Sequence, residues 1–367
     1  MDERTPPRKR PVPRWRRELA RSVRSLDALR RVFPALVATD AMREAARRFP
    51  MALTPHVLSL IRKPDFSDPV FAQFVPGAGE LAEAPWASAD PLGELPASPA
   101  PRLVRRYPDR AVLIAATTCA ARCRHCFRKR VSGAAASAAS AADLRAAVRF
   151  LRANPGVDDV LVSGGDPLTL PDEALARVLA ALRSVPTVRV VRIATRVPCT
   201  LPSRVTPALV RLLRPPRGGP ATFASVQFNH PRELSPDALR ACARLVDAGI
   251  PVQNQTVLLR GVNDDPATME ALCRALYHNR IRPYYLFQAD LAPGTEHFRT
   301  PPGTGLRIMR HLRARLSGPA IPNFCLDPPG GGGKIELAPG FVAERRPGET
   351  VFDDGSGNRF AYPDPRP

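Results

Sequence analysis

The run "DDVLVSGGDPLTLPDEALARVLAALRSVPTVRVVRIATR" (158–196) decides the fold. It opens on "DDVLVSG" (158–164), an apolar stretch of strand length closed by glycine. It continues as "DEALARVLAALRSV" (172–185), whose apolar residues recur three and four positions apart, the period of an amphipathic helix. It then returns to a β-branched run in "VRVVRIA" (188–194). Strand, helix and strand in so short a space form a parallel crossover unit.

The alternation extends in both directions. Upstream lie "AVLIAAT" (111–117) as a strand and "AADLRAAVRFLRA" (141–153) as a helix. Downstream, "TPALVRLL" (206–213), "SPDALRACARLVDAG" (235–249), "PATMEALCRALYHN" (266–279) and "GLRIMRHLRARLSG" (305–318) read as helices. Between them "TFASVQF" (222–228), "PVQNQTVLL" (251–259) and "PYYLFQA" (283–289) read as strands. Six strand–helix repeats with apolar strands predict an α/β protein, a parallel sheet covered by helices. Six is short of the eight of a closed barrel, which leaves a partial barrel or an open sheet, with ligands at the C-terminal strand ends. Around this core (103–318) the reading places a disordered basic tail (1–13) and an N-terminal extension (14–102). The extension is helical from Trp15 to about Arg48 and irregular over 64–102. An irregular C-terminal segment (319–367) follows.

Composition sets the outer bounds. The chain has 367 residues, 44% of them apolar, enough to bury a large core. Lys and Arg outnumber Asp and Glu by 54 to 34, a net charge of +20. The basic residues are spread along the chain and aromatics are only 6%, so nucleic acid is not the expected partner. Of seven cysteines, Cys199, Cys242, Cys273 and Cys325 stand apart and read as buried small residues. Such cysteine usage suits a reducing cytoplasm. No run approaches the ~18–20 apolar residues of a membrane span, and the arginines of the N-terminus precede no apolar signal region.

The other three cysteines crowd into "TTCAARCRHCFRKR" (117–130), directly after the first strand. A structural zinc closes its tetrahedron with four protein ligands. Cys119, Cys123 and Cys126 supply three, and His125 between two of them is cramped as a fourth. An iron–sulfur cluster can take three thiolates and keep one iron open, so the spacing favours a cluster over zinc. Taken alone, "SGGD" (163–166) reads as a tight turn and "GGGGK" (330–334) as a flexible loop.

The order of motifs adds a resemblance. "RYPDR" (106–110), "CRHCFRKR" (123–130), "SGGDPL" (163–168), "FNHP" (228–231), "NQTVLLRGVND" (254–264), "RPYYLF" (282–287), "EHFRTP" (296–301) and "DPPGGGGK" (327–334) follow one another. From about residue 100 to 345 the sequence thereby resembles the lysine 2,3-aminomutase family of radical S-adenosylmethionine enzymes. The resemblance implies a partial (β/α)6 barrel whose Cys119, Cys123 and Cys126 bind a 4Fe–4S cluster with S-adenosylmethionine on its open iron. Gly164, Gly165, Asp166, Arg196, Asn229, His230 and Gln255 would contact that cofactor, with Asp166 meeting its ammonium and Arg196 its carboxylate. Lys334 would be the catalytic lysine bound to pyridoxal 5'-phosphate, held also by Arg106, Tyr107 and Arg110. Arg128 would take the substrate carboxylate, and Asp290 and Asp327 a distal ammonium.

Two acids gathered in a buried site need a cation, which points to a cationic amino acid, L-lysine converted to β-lysine. Arginine, or a lysine destined for translation elongation factor P, are the alternatives. A basic nucleic-acid-binding metalloprotein rests on charge alone. The implied reaction also calls for an external electron donor such as flavodoxin or ferredoxin. The family's type enzyme carries a structural zinc at a subunit interface, with one ligand a cysteine just after "GVND". Here that position is Asp265, and no cysteine follows Cys325, so zinc is not expected and homo-oligomerisation is left open. Arg122, Arg124, Lys129 and Arg130 have no assigned role beyond positive potential.

Overall fold

Burial with a period of two builds the sheet. In β2 (Arg110–Ala116) the residues Ala111, Leu113 and Ala115 are buried under helices, while Arg110, Val112 and Ile114 face the other way and are only half-buried. The pattern repeats in β3 (Asp159–Gly164), β4 (Val190–Thr195), β5 (Ala221–Val226), β6 (Val252–Leu258) and β7 (Ile281–Gln288). The half-buried face is not uniformly apolar. It carries Asp159, Arg192, Gln253 and Gln255 beside Val112 and Leu161, so the sheet encloses a mixed, partly polar interior.

The computed structural model describes residues 12–129, 137–347, 349–353 and 358–363. The expected disordered tail falls almost wholly outside these residues, as does Arg130. Strands β2 to β7 and β8 (Asn323–Leu326) run parallel in sequence order. The short strands β1 (Leu103–Val104) and β9 (Ile335–Glu336) add antiparallel at either edge. No pairing joins β1 to β9, so the sheet curls without closing: it is a partial barrel.

The helices on its outer face are α6 (Ala141–Ala153), α7 (Asp172–Arg183), α8 (Pro207–Leu213), α9 (Pro236–Asp247), α10 (Pro266–His278) and α11 (Pro302–Arg315). Their apolar faces share one core with the buried sides of the strands. Capping fixes where several start: Ser140, Thr206, Ser235 and Asp265 each accept a backbone N–H of the first turn. Asp265 is thus a helix cap.

The N-terminal extension differs from the expected long helical stretch. It is broken into α1 (Arg14–Ala20), α2 (Leu26–Val32), α3 (Asp40–Arg48), α4 (Pro55–Leu60) and α5 (Pro69–Phe74). Ser25, Thr39, Thr54 and Asp68 cap four of them, so each restart is written locally. Helix α5 lies inside the segment read as irregular. These helices bury a second core, which Ala121 and Cys123 of the cysteine loop join. The C-terminal segment is also more ordered than expected: besides β8 and β9 it forms an antiparallel sheet of β10 (Val342–Arg346), β11 (Glu349–Asp353) and β12 (Arg359–Pro363). Among the described residues no helix is long and apolar enough to cross a membrane.

Candidate active site

The inner face of the partial barrel and the loops above its C-terminal strand ends enclose a cavity of about 640 Å³. All three clustered cysteines line it, on the loop after β2. That loop is held from outside by the N-terminal extension. Arg122 N donates to Ala52 O and Arg124 N to Gln73 O. The buried Arg124 guanidinium forks onto Glu80 at 2.8 and 2.6 Å and donates to the carbonyls of Phe49 and Pro50. Lys129 reaches the same Glu80 at 2.9 Å. Arg124 and Lys129, basic residues without an evident role in the sequence, are anchors of the cysteine loop.

Burial pushes the thiol of Cys119 well up and that of Cys126 to about 11, with the other thiols adding repulsion. As thiolates they need positive charge within the site. Arg196 supplies part of it, its Nη1 lying 2.7 Å from Cys123 Sγ. Among the described residues no three His, Cys, Asp or Glu side chains converge on one point as a single-ion site requires. An iron–sulfur cluster is held by cysteine thiolates, and Cys119, Cys123 and Cys126 all face the same cavity.

The glycines after β3 have a defined task. Gly164 has φ +125°, and a Cβ there would stand 2.1 Å from Ala116 O; one on Gly165 would stand 2.3 Å from Thr118 O. Their absence of side chains lets Gly165 N and Asp166 N each donate at 2.7 Å to the backbone just before Cys119. Asp166 lines the cavity, but its carboxylate accepts from Thr195 Oγ1, Arg196 N and Leu168 N. Those bonds brace the loop that follows β4 and hold the carboxylate in place at the cavity wall. Burial raises its pKa, with those hydrogen bonds opposing.

Arg196 is engaged as well. Its Nη2 donates to Gln73 Oε1 and Glu233 Oε1, both at 2.7 Å, so its charge is shared between Glu233 and Cys123. Asn229 and His230 do not line the cavity. Asn229 is buried, bonding Gln73 and the backbone N of Val257, and His230 caps the turn that follows it. The polar character that suggested cofactor contacts is used to join loop ends. Gln255, by contrast, lines the cavity. His125 is not placed as a ligand: its Nε2 sits 3.2 Å from Gln227 and 3.3 Å from Asn229, its Nδ1 has no partner, and burial holds the ring neutral.

The opposite wall gathers the remaining candidates. Asp327 follows β8 and Lys334 precedes β9, so the antiparallel pairing of those strands brings them to 3.3 Å. Arg106 reaches the other oxygen of Asp327, also at 3.3 Å. Tyr107 Oη accepts the backbone N–H of Lys334 at 2.8 Å, and Arg110 stacks 3.6 Å over the Tyr107 ring. Asp290, after β7, has its carboxyl pushed up to about 7 by burial and by Asp327. Arg128 donates to Glu94 and to Ser163 Oγ. In the glycine run Gly330, Gly331 and Gly333 have positive φ, and at Gly331 a Cβ would stand 2.4 Å from Leu92 O. Glu80, Glu94, Gln73 and Glu233 escaped the sequence reading, because nothing local marks an acid or amide whose partner lies far along the chain.

Comparison with known proteins agrees with this geometry. Residues 113–272 match the family model of the radical SAM superfamily and residues 309–367 that of lysine-2,3-aminomutase. The L-lysine 2,3-aminomutase of Clostridium subterminale is 39% identical over 352 residues, 96% of this chain and 84% of that protein. The L-lysine 2,3-aminomutase of Bacillus subtilis is 37% identical, covering 96% and 74%. The glutamate 2,3-aminomutase of Clostridioides difficile is 38% identical over 306 residues, 83% of this chain and 72% of that one. The chain belongs to the lysine 2,3-aminomutase family of radical S-adenosylmethionine isomerases, which work with a 4Fe–4S cluster and S-adenosylmethionine.

Proposed function

We propose that the enzyme moves the 2-amino group of free L-lysine to carbon 3, giving β-lysine. The observation that carries this is the pair Asp290 and Asp327 on the cavity wall beside Lys334, with Asp290 raised to about 7. Asp327 is already met by Lys334 and Arg106, whereas Asp290 is raised by burial beside it, and a cationic side chain relieves both that burial and the repulsion between the two acids. A glutamate side chain would add a third negative charge there. Lysine is therefore favoured over the substrate of the glutamate-named relative.

The residues present suit the groups the reaction calls for. Cys119, Cys123 and Cys126 would hold the cluster, and Gly164, Gly165, Arg196 and Gln255 would flank S-adenosylmethionine. Lys334 would hold pyridoxal phosphate, with Arg106, Tyr107 and Arg110 beside it; arginine forks match phosphate oxygens. When bound, the cluster and S-adenosylmethionine supply a hydrogen-abstracting radical, and pyridoxal phosphate supplies an aldehyde that links the migrating amine and stabilises the radical. The protein's own work is placement. Arg128 takes the α-carboxylate and Asp290 with Asp327 the distal ammonium. The substrate is thereby fixed at both ends, with its second and third carbons between. Val257 and Phe287 line the space with apolar surface.

An anaerobic incubation with a panel of L-amino acids, a reductant or an acidic one-electron carrier, and both cofactors tests the reading. Mass spectrometry should find the β-isomer from L-lysine above all others. Preferential conversion of L-glutamate would overturn it.

A further inference from the structure

Residues 88–95 lie in the segment whose composition indicated only an irregular connection, yet they meet Arg128 and the loops that carry Asp290 and Lys334. Ser88 N donates to Leu291 O at 2.8 Å, one residue past Asp290. Gly93 meets the loop of Lys334 backbone to backbone: a Cβ there would stand 2.8 Å from Gly330 O. Glu94, with a side chain only 7% exposed, accepts from Arg128 Nε at 3.1 and 3.0 Å and from Nη2 at 2.5 Å. Asp90 folds the turn by accepting from Glu94 N at 3.0 Å and Leu95 N at 2.8 Å. The segment is a strap across the open side of the barrel.

The contacts on Arg128 define its orientation. Glu94 grips the Nε/Nη2 edge of the guanidinium, and Ser163 Oγ accepts from Nη1 at 3.0 Å. A planar fork held from two directions has little rotational freedom left to lose when a ligand binds. We propose that Glu94 is the positioning residue of the carboxylate subsite. Through Arg128 it sets where the substrate's α-carboxylate lies, and the strap fixes that point relative to Asp290 and Lys334. This rests on the reading that Arg128 takes the substrate carboxylate. If Glu94 instead competed with the substrate for Arg128, its removal would tighten binding, the opposite effect.

The test compares L-lysine with 1,5-diaminopentane, which is lysine without its carboxylate, by calorimetric titration of the holoenzyme. Glu94→Gln should weaken lysine binding about tenfold and leave the diamine within about twofold, with the kinetic loss falling on KM more than on kcat. Glu94→Asp should recover part of the loss. Asp90→Asn, which loosens the strap at a half-exposed site, should shift lysine in the same direction by a smaller factor, a readout that survives if Glu94→Gln does not fold. Unchanged or tighter lysine binding in these variants overturns the inference, as does an equal loss for lysine and diamine. Wild-type enzyme that fails to discriminate lysine from the diamine removes the Arg128 reading, and the inference with it.

Discussion

Asp290 shows how one buried carboxyl can report on the whole site. Its pKa in the folded protein is about 7 against an ordinary 3.8, raised first by burial and then by Asp327. Between about pH 4 and 7 the folded protein therefore holds a proton that the unfolded chain has already released. Stability falls as pH rises across that window and levels off above it. Asp290→Asn removes this contribution. The melting temperature of the variant relative to wild type should rise steadily from pH 4 to 7 and then stay constant; a pH-independent difference would show that Asp290 ionises normally. At this scale the sequence was informative where spacing or motif order carried the message, as for Cys119, Cys123, Cys126 and Lys334. It was silent for Glu94, 34 positions from Arg128, and for Glu80, 44 from Arg124. Local pattern does not encode such partners.

Between elements, the cysteine loop depends on a neighbour outside the barrel. Glu80 follows α5 and pairs with both Arg124 and Lys129, with 1% of its side chain exposed. Glu80→Gln takes a shared, buried counter-charge away from the Arg124 guanidinium, which costs about 3–5 kcal/mol. Denaturant unfolding should show that loss, and the purified variant should retain less iron than wild type. Full stability with full iron content would mean the loop holds itself. The six strand–helix units were legible because their strands are apolar and their helices periodic, and α6 falls on the residues expected. Strand and helix ends moved by one to three residues, as at Thr206, which caps its helix instead of opening it. The short β8 and the exposed β10 and β12 were not legible, since a four-residue run or an edge rich in arginine carries no clear alternation.

At the scale of the whole molecule, the open side of the barrel joins the two halves of the chemistry. Strands β2 to β4 and their loops carry the thiols, while β7 to β9 carry Asp290, Asp327 and Lys334. Arg106, Tyr107 and the strap of residues 88–95 bridge them. Sequence order placed these motifs at strand ends but not around one cavity, because closure depends on sheet curvature and on glycine packing against Leu92.

The central claim, an intramolecular 2,3-shift on lysine in this cavity, is tested most directly by supplying L-lysine labelled with ¹⁵N at the α-amino group to the anaerobic, fully loaded enzyme and locating the label by NMR. The account predicts β-lysine with ¹⁵N bonded to carbon 3 and no exchange with unlabelled ammonia. Label retained at carbon 2, or lost to solvent, would contradict it.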